Sequence, residues 1–241
     1  MACESRLHKE ARPASKTRLT RYAIDRFLLQ VSQSMAPGTF LLDGGAGSCK
    51  HRQFFPQAHI LSFDNGQSRR RRYGEIDLVG DLYAIPFRED TFDAALNIEV
   101  LEHLREPQRA LGEIYRVLRP GGKLFLVAPQ GCKEHQIPHD YFRFTSFGLR
   151  YLLEGVGFKV VTIDPLGGYF WYLGYLISES YRYFFPHDRK TIWKVLDSPF
   201  RPPAQFFLRK ICPFVCFYLD RLDTQRIYTL NYACICVKAS R

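Results

Sequence analysis

No stretch of this 241-residue sequence is apolar for long enough to cross a bilayer. The longest run without a charge is Pro165 to Ser178, short of the roughly 20 residues a spanning helix needs and interrupted by glycine. Pairing signals for cysteine are absent too. The seven cysteines, at 3, 49, 132, 212, 216, 234 and 236, are odd in number and contain no C-x-x-C pair. That argues against a disulfide framework and for a reducing compartment. The N-terminal MACESRLHKEARPASKTRLTRY is charged and lacks an apolar core, so it does not read as a secretory signal. Internal repeats and low-complexity tracts are also missing. The expected location is the cytoplasm, with a peripheral place at a membrane surface as the variant.

What is present is a globular composition. Hydrophobic residues make up 46% and charged residues 24%, enough apolar surface for a core and too little charge for a disordered chain. The net charge of +10 favours anionic partners: nucleic acid, acidic lipid or phosphorylated substrates.

The pattern along the chain alternates strands with helices. Residues 1–16 read as a polar, flexible leader. Leu19, Ala23, Ile24, Phe27, Leu28 and Val31 have helical spacing within Thr17 to Met35. Strands are expected at Thr39–Leu42, His59–Phe63, Ile76–Val79, Phe92–Ile98, Lys123–Ala128 and Phe158–Ile163. Helices are expected at Ser48–Phe55, Pro107–Leu118 and Thr145–Gly155, with Thr145 as N-cap and Gly121-Gly122 as a turn. Such alternation predicts an α/β fold, a Rossmann-like, doubly wound, mostly parallel seven-stranded sheet. After Ile163 the texture changes. Residues 165–220 are crowded with Tyr, Phe and Trp, interleaved with Arg and Lys, and RIYTLNYACICVK at 226–238 alternates as a final strand. This predicts a single domain over 17–241: core 39–164, an aromatic-rich helical insertion 165–220 between the last two strands, then the closing strand.

In this architecture ligands bind at the carboxyl ends of the strands. The stretch FLLDGGAGSCK, residues 40–50, ends an apolar strand in a carboxylate and three glycines. Glycine lets the backbone approach a ligand closely, and a following helix would aim its N-terminus there. A dinucleotide fingerprint, G-x-G-x-x-G, needs a third glycine where Lys50 stands. The alternative pattern, D-x-G-x-G, is met by Asp43, Gly45 and Gly47, and its carboxylate suits a ligand with a cationic end. Asp64 and Asp81 likewise follow apolar strands.

From Phe40 to Val161 the sequence resembles the class I S-adenosylmethionine-dependent methyltransferases, and specifically the type 11 methyltransferase domain. The resemblance is carried by D-x-G-x-G, the acid ending strand two, D-x-x-x-x-P-F from Asp81, V-L-E-H-L from Val100, and L-R-P-G-G from Leu118. It implies that S-adenosyl-L-methionine is the cofactor. Asp43, Gly44, Gly45 and Gly47 would cradle its methionine half, and Asp64 would meet the ribose hydroxyls. Asp81 and Leu82 would meet the adenine, with Asn97 and Glu99 beside the methionine carboxylate and the methyl. Cys49 departs from the family's preference for a small residue there. The short link Asn65–Glu75 has room for little or no crossover helix and holds Arg69–Arg72, which read as a solvated loop.

The acceptor end of such a fold lies over strands four and five, at QGCKEHQIPHDYFRFT, residues 130–145. Its H-x-x-P-x-D-Y-F-R-F-T pattern resembles type 11 enzymes linked to glycans, lipids or secondary metabolites. His135 and His139 are candidate bases, Tyr141 would orient the acceptor, and Arg143 would hold an anionic group. His103 faces the same region but reads as a helix-start residue hydrogen-bonded to backbone rather than as a base. Cys132, His135 and His139 have metal-like spacing, but one Cys and two His fall short of a zinc set, and no metal is expected. Trp171, Tyr172, Tyr175 and Trp193 beside Arg182, Arg189, Lys190 and Lys194 suit a structural cap, a lid over an apolar substrate or a contact with a membrane surface.

The function expected is methyl transfer to a small-molecule, lipid or saccharide acceptor. Nucleic acid is disfavoured because the N/D-P-P-Y/F motif of amino-directed nucleobase enzymes is replaced by Asn97-Ile98-Glu99-Val100. A nucleic-acid methyltransferase and a non-catalytic S-adenosylmethionine-binding module are the alternatives.

Overall fold

A computed structural model describes residues 15, 17–66, 75–186 and 199–240. The arginine run 69–72, residues Arg189, Lys190, Trp193 and Lys194, and almost all of the leader lie outside the described residues. The chain divides into two compact units. One comprises Asp25–Asp164 and the segment from Tyr232 onward; the other comprises Pro165–Asn231 and the segment ending at Ile24.

The first unit is built on a seven-stranded sheet. Its strands are β1 (Phe40–Gly44), β2 (His59–Asp64), β3 (Leu78–Val79), β4 (Phe92–Ile98), β5 (Leu118–Pro129), β6 (Phe158–Leu166) and β7 (Asn231–Lys238), in the order β3-β2-β1-β4-β5-β7-β6. The pairs β1–β2, β1–β4, β2–β3 and β4–β5 are parallel. β4, FDAALNI, is central and almost wholly buried, as expected for a parallel strand covered on both faces. The order reverses between β1 and β4, so Gly44 and Ile98 end at the switch point, the place where ligands of open α/β sheets bind.

Helix α1 (Leu19–Gln33) and helix α2 (Pro107–Val117) follow their sequence periods. α2 starts with proline at its first position, where the missing N–H costs nothing. It buries Ala110, Leu111, Ile114 and Val117 on one face. Glu113 and Arg116 on this helix hold the preceding loop: Ile85 N donates to Glu113 at 2.9 Å, and Arg116 donates to the Ile85 and Phe87 carbonyls at 2.8 Å each. Helix α3 (Ser146–Gly155) is capped by the Thr145 hydroxyl, which accepts from Gly148 N at 3.1 Å.

Four expectations change. No regular helix spans Ser48–Phe55; only a short turn of helix forms over Arg52–Phe54. Gly47 and Cys49 both have φ of 53°, a left-handed conformation through which a right-handed helix cannot propagate. No long helix therefore aims its dipole at the glycine loop. Gly121-Gly122 do not break the strand before Lys123. Phe92 pairs with Leu118 and Ala94 with Lys123, so residues 119–122 form a bulge inside one longer β5. β3 is two residues rather than four. β7 begins at Asn231 rather than Arg226, because the amides of Gln225 and Arg226 donate to Asp223 Oδ1 and form a turn.

The second unit is helical: α4 (Tyr169–Phe184), α5 (Arg201–Phe206), a wide turn over Phe207–Ile211, and α6 (Cys212–Leu219). The N-terminus of α4 is capped from afar. Asp220 accepts from Gly168 N and Trp171 N at 3.0 Å, and Asp223 accepts from Tyr169 N at 2.7 Å. Trp171 is not a surface anchor: its ring stacks on Phe217 at 5.3 Å and meets Tyr22 edge-on. The exposed apolar side chains of this unit include Phe206, Phe207, Ile211, Phe214, Val215 and Tyr218.

Candidate active site

The glycine loop is pinned before any ligand arrives. Gly45 N and Ala46 N both donate to Phe63 O, at 2.8 and 3.1 Å, which ties the end of β1 to β2. Gly47 N donates to Asp64 Oδ2 at 2.9 Å, and Gly66 N donates to Asp64 Oδ1 at the same distance. Asp64 thus holds the loop and stays partly open to solvent. Gly45 has φ of 88°, and a Cβ there would sit 2.3 Å from Val100 Cγ2. Only glycine fits. A Cβ on Gly44 would lie 3.2 Å from Leu82 Cδ2, so Leu82 packs over the strand end. Asp81 is exposed and caps its own turn, Oδ1 accepting from Tyr83 N at 2.9 Å.

Asp43 is almost fully buried, and both its oxygens lie 3.2 Å from Nδ1 of His51. His51 is equally buried, and its Nε2 has no hydrogen-bond partner. A lone histidine in an irregular turn carries no sequence signal, and the sequence reading missed it. Asn97 is buried at the end of β4. Its amide donates to Gly44 O at 3.1 Å, while its carbonyl oxygen is unpartnered. Glu99 follows with φ of 55° and its amide bonded to Val127 O. A buried oxygen lacking a donor, beside a loop where only glycine fits, suits a ligand bringing N–H groups to the switch point. The residues present therefore fit S-adenosylmethionine, whose amino group would supply such donors.

The loop after β5 docks on the turn after β4: Tyr141 N donates to Glu102 O at 2.8 Å. His139 Nδ1 lies 3.1 Å from Tyr141 Oη, which also accepts from Arg105 Nε at 2.9 Å. His135 has a carboxylate on each side, Glu102 Oε1 at 3.6 Å and Asp140 Oδ2 at 3.3 Å. Glu102 foremost, with Asp140, raises the His135 pKa against the opposing effect of burial. Asp140 is pulled down to about 2 by Arg143, the His135 amide and the His135 ring, which outweigh its desolvation.

Arg143 does not await an anionic substrate. Its five donors are committed to Asp140 and to the carbonyls of Cys132, Lys133 and Phe142, which is the whole capacity of a guanidinium. It clamps the loop. His103 is bonded to backbone as expected, Nδ1 meeting His139 O at 2.5 Å. The Cys132 thiol is pushed up to about 12, chiefly by burial. Cys132, His135 and His139 do not converge. Among the described residues, the set that does is Glu102, His103 and His135. Glu102 is the second residue that sequence reasoning missed; a carboxylate between Leu101 and the His103-Leu104 pair was the available signal.

Residues 42–126 match the family model described as a methyltransferase domain. That stretch is a class I S-adenosylmethionine-dependent methyltransferase domain of the type 11 group. It is 37% identical over 95 residues to a demethylmenaquinone methyltransferase of Renibacterium salmoninarum, covering 36% of this chain and 40% of that protein. It is 29% identical over 144 residues to a tRNA (carboxymethyluridine(34)-5-O)-methyltransferase of Arabidopsis thaliana, covering 57% and 35%. An O-methyltransferase of Pyrenophora dematioidea is 30% identical over 175 residues, covering 62% and 66%. The chain thus spans well under half the length of the first two of these curated relatives. Among solved structures, a [4+2]-cyclase, SpnF, superposes with a TM-score of 0.59 at 16% identity, covering 92% of this chain and 83% of that one. A Bacillus halodurans protein described as a putative methyltransferase gives 0.54 at 15%, covering 88% and 97%. These likenesses establish the fold, and a cyclase among them shows that the fold alone does not fix the reaction. No helix among the described residues is long and apolar enough to cross a membrane.

Proposed function

We propose that this chain transfers a methyl group from S-adenosylmethionine to a small-molecule, lipid or saccharide acceptor. The observation that carries the reading is the joining of the Gly45–Gly47 loop to Asp64, beside the unpartnered carbonyl oxygen of Asn97. Asp43 with His51 would set the shape of the loop, and Gly44, Gly45 and Gly47 would let the backbone close on the ligand. Asp64 would accept from two vicinal hydroxyls, and Leu82 with Asp81 would bound an adenine-sized slot. The bound cofactor supplies an electrophilic methyl group on a positively charged sulfur.

Asn97 and Glu99 would position the reacting end. His139, His135 and Tyr141 would face the acceptor. His139 is the better base on geometry, since its Nδ1 contacts the Tyr141 hydroxyl whereas His135 faces two carboxylates. Tyr141, fixed by Arg105, would orient the acceptor's hydroxyl or acidic carbon. The exposed phenylalanines of the wide turn and α6 support contact of that unit with an apolar or lipid surface. A peripheral membrane contact and a cytoplasmic setting follow as part of this reading.

A nucleic-acid acceptor is the second reading, favoured by the net charge of +10 and by the tRNA methyltransferases among the relatives. Incubation with methyl-tritiated S-adenosylmethionine and separate quinol, lipid, glycan and bulk tRNA fractions discriminates. Label in the small-molecule, lipid or glycan fractions, lost in His139→Ala, supports the proposal. Label confined to tRNA, falling steeply with salt, replaces it.

A further inference from the structure

Glu102 is wholly buried, and neither of its carboxylate oxygens has a hydrogen-bond partner. An isolated buried carboxylate is costly, so its charge calls for a cation. Two imidazole nitrogens already face it. His103 Nε2 and His135 Nε2 each lie 3.6 Å from Oε1. That is too long for a hydrogen bond. It is close to the separation of two donors sharing one small ion. With metal–donor bonds of about 2.0–2.1 Å, neighbouring tetrahedral ligands stand about 3.4 Å apart. The three donor atoms lie within 4.8 Å of one another.

The surroundings point the same way. Nδ1 of His103 is bonded to the His139 carbonyl. Nδ1 of His135 lies 3.3 Å from both the Lys133 carbonyl and Asp140 Oδ2, and Asp140 is gripped by Arg143. Histidines that bind metals typically place their second nitrogen on a carbonyl or carboxylate. This fixes the tautomer and leaves the Nε2 lone pair for the ion. Both histidines do so here, from separate segments of chain. The Gln136 amide nitrogen sits 2.7 Å from His103 Nε2, which marks that nitrogen as an acceptor; an ion would take the place of this amide. Gln136 has φ of 53°, an uncommon conformation for a residue with a side chain.

We propose that Glu102, His103 and His135 bind one divalent first-row transition cation, of the zinc, cobalt or iron(II) type. One carboxylate and two imidazoles leave coordination positions open, and nitrogen donors disfavour magnesium and calcium. The site uses none of the cysteines and does not depend on the methyl-transfer reading.

The test uses the full chain, stripped with a chelator and titrated with cobalt(II) by calorimetry and visible absorption. The expected result is uptake of one equivalent with a nitrogen–oxygen spectrum, unchanged in Cys132→Ser. Affinity should fall at least about tenfold in Glu102→Gln and in His135→Ala. Glu102→Gln keeps the shape and removes the buried charge, so the metal-free variant should melt no lower than wild type. That separates a lost ligand from a lost fold. No uptake, uptake indifferent to Glu102→Gln, or a thiolate-to-cobalt charge-transfer band would overturn the proposal.

Discussion

The carboxylate of Asp43 and the imidazole Nδ1 of His51 meet at 3.2 Å in a wholly buried pair directly beneath the glycine loop. Each side chain answers the other's desolvation. Removing His51 strands a buried carboxylate, and a buried acceptor left without its donor costs about 1–3 kcal/mol. His51→Ala should therefore lower the urea midpoint by an amount in that range and weaken S-adenosylmethionine binding in parallel. Equal stability of variant and wild type would show that the pair is dispensable.

Gly45 faces two obstacles to any side chain, its φ of 88° and the Val100 methyls. Gly45→Ala should destabilise the protein by about 1–3 kcal/mol through backbone strain and overpacking. Combining it with Val100→Ala relieves the steric part and leaves the strain. The double variant should thus recover part of the melting temperature. Full recovery would place the whole cost on Val100.

Much of this loop was legible in sequence. The carboxylate at a strand end and the glycines after it marked where β1 stops and the loop begins, because parallel strands are buried on both faces and end abruptly. What followed was not legible. Ser48–Phe55 has the composition of a short helix, yet the left-handed Cys49 and the His51–Asp43 contact override local propensity. The Gly121-Gly122 turn was misplaced for a similar reason, since glycines that read as a chain reversal also serve a bulge. Glu102 was overlooked because His135, which faces it, comes from the separate loop after β5, and such pairing leaves little trace in local spacing. Arg143 was misread although its partners Asp140, Cys132, Lys133 and Phe142 all lie in its own loop.

Stability should also report on Glu113. The bond from Arg116, and then the Ile85 amide, outweigh desolvation and hold the Glu113 carboxyl below its ordinary value of 4.5. A carboxyl depressed in the folded state contributes stability that is full above its unfolded pKa and is lost as pH falls through its folded pKa. The difference in unfolding free energy between wild type and Glu113→Gln should be constant from pH 7 to about 5 and should shrink below about 4.5. Paired urea titrations across that range measure it. A difference that grew on acidification would contradict the assignment.

The central claim is that the strand ends of this sheet hold S-adenosylmethionine, and calorimetric titration of the purified chain tests it most directly. S-adenosylmethionine and its demethylated product should bind at micromolar concentration, NADH should not, and Asp64→Ala should abolish binding of both methionine compounds. Silence from both compounds with wild-type protein, or binding unaffected by Asp64→Ala, would contradict the account.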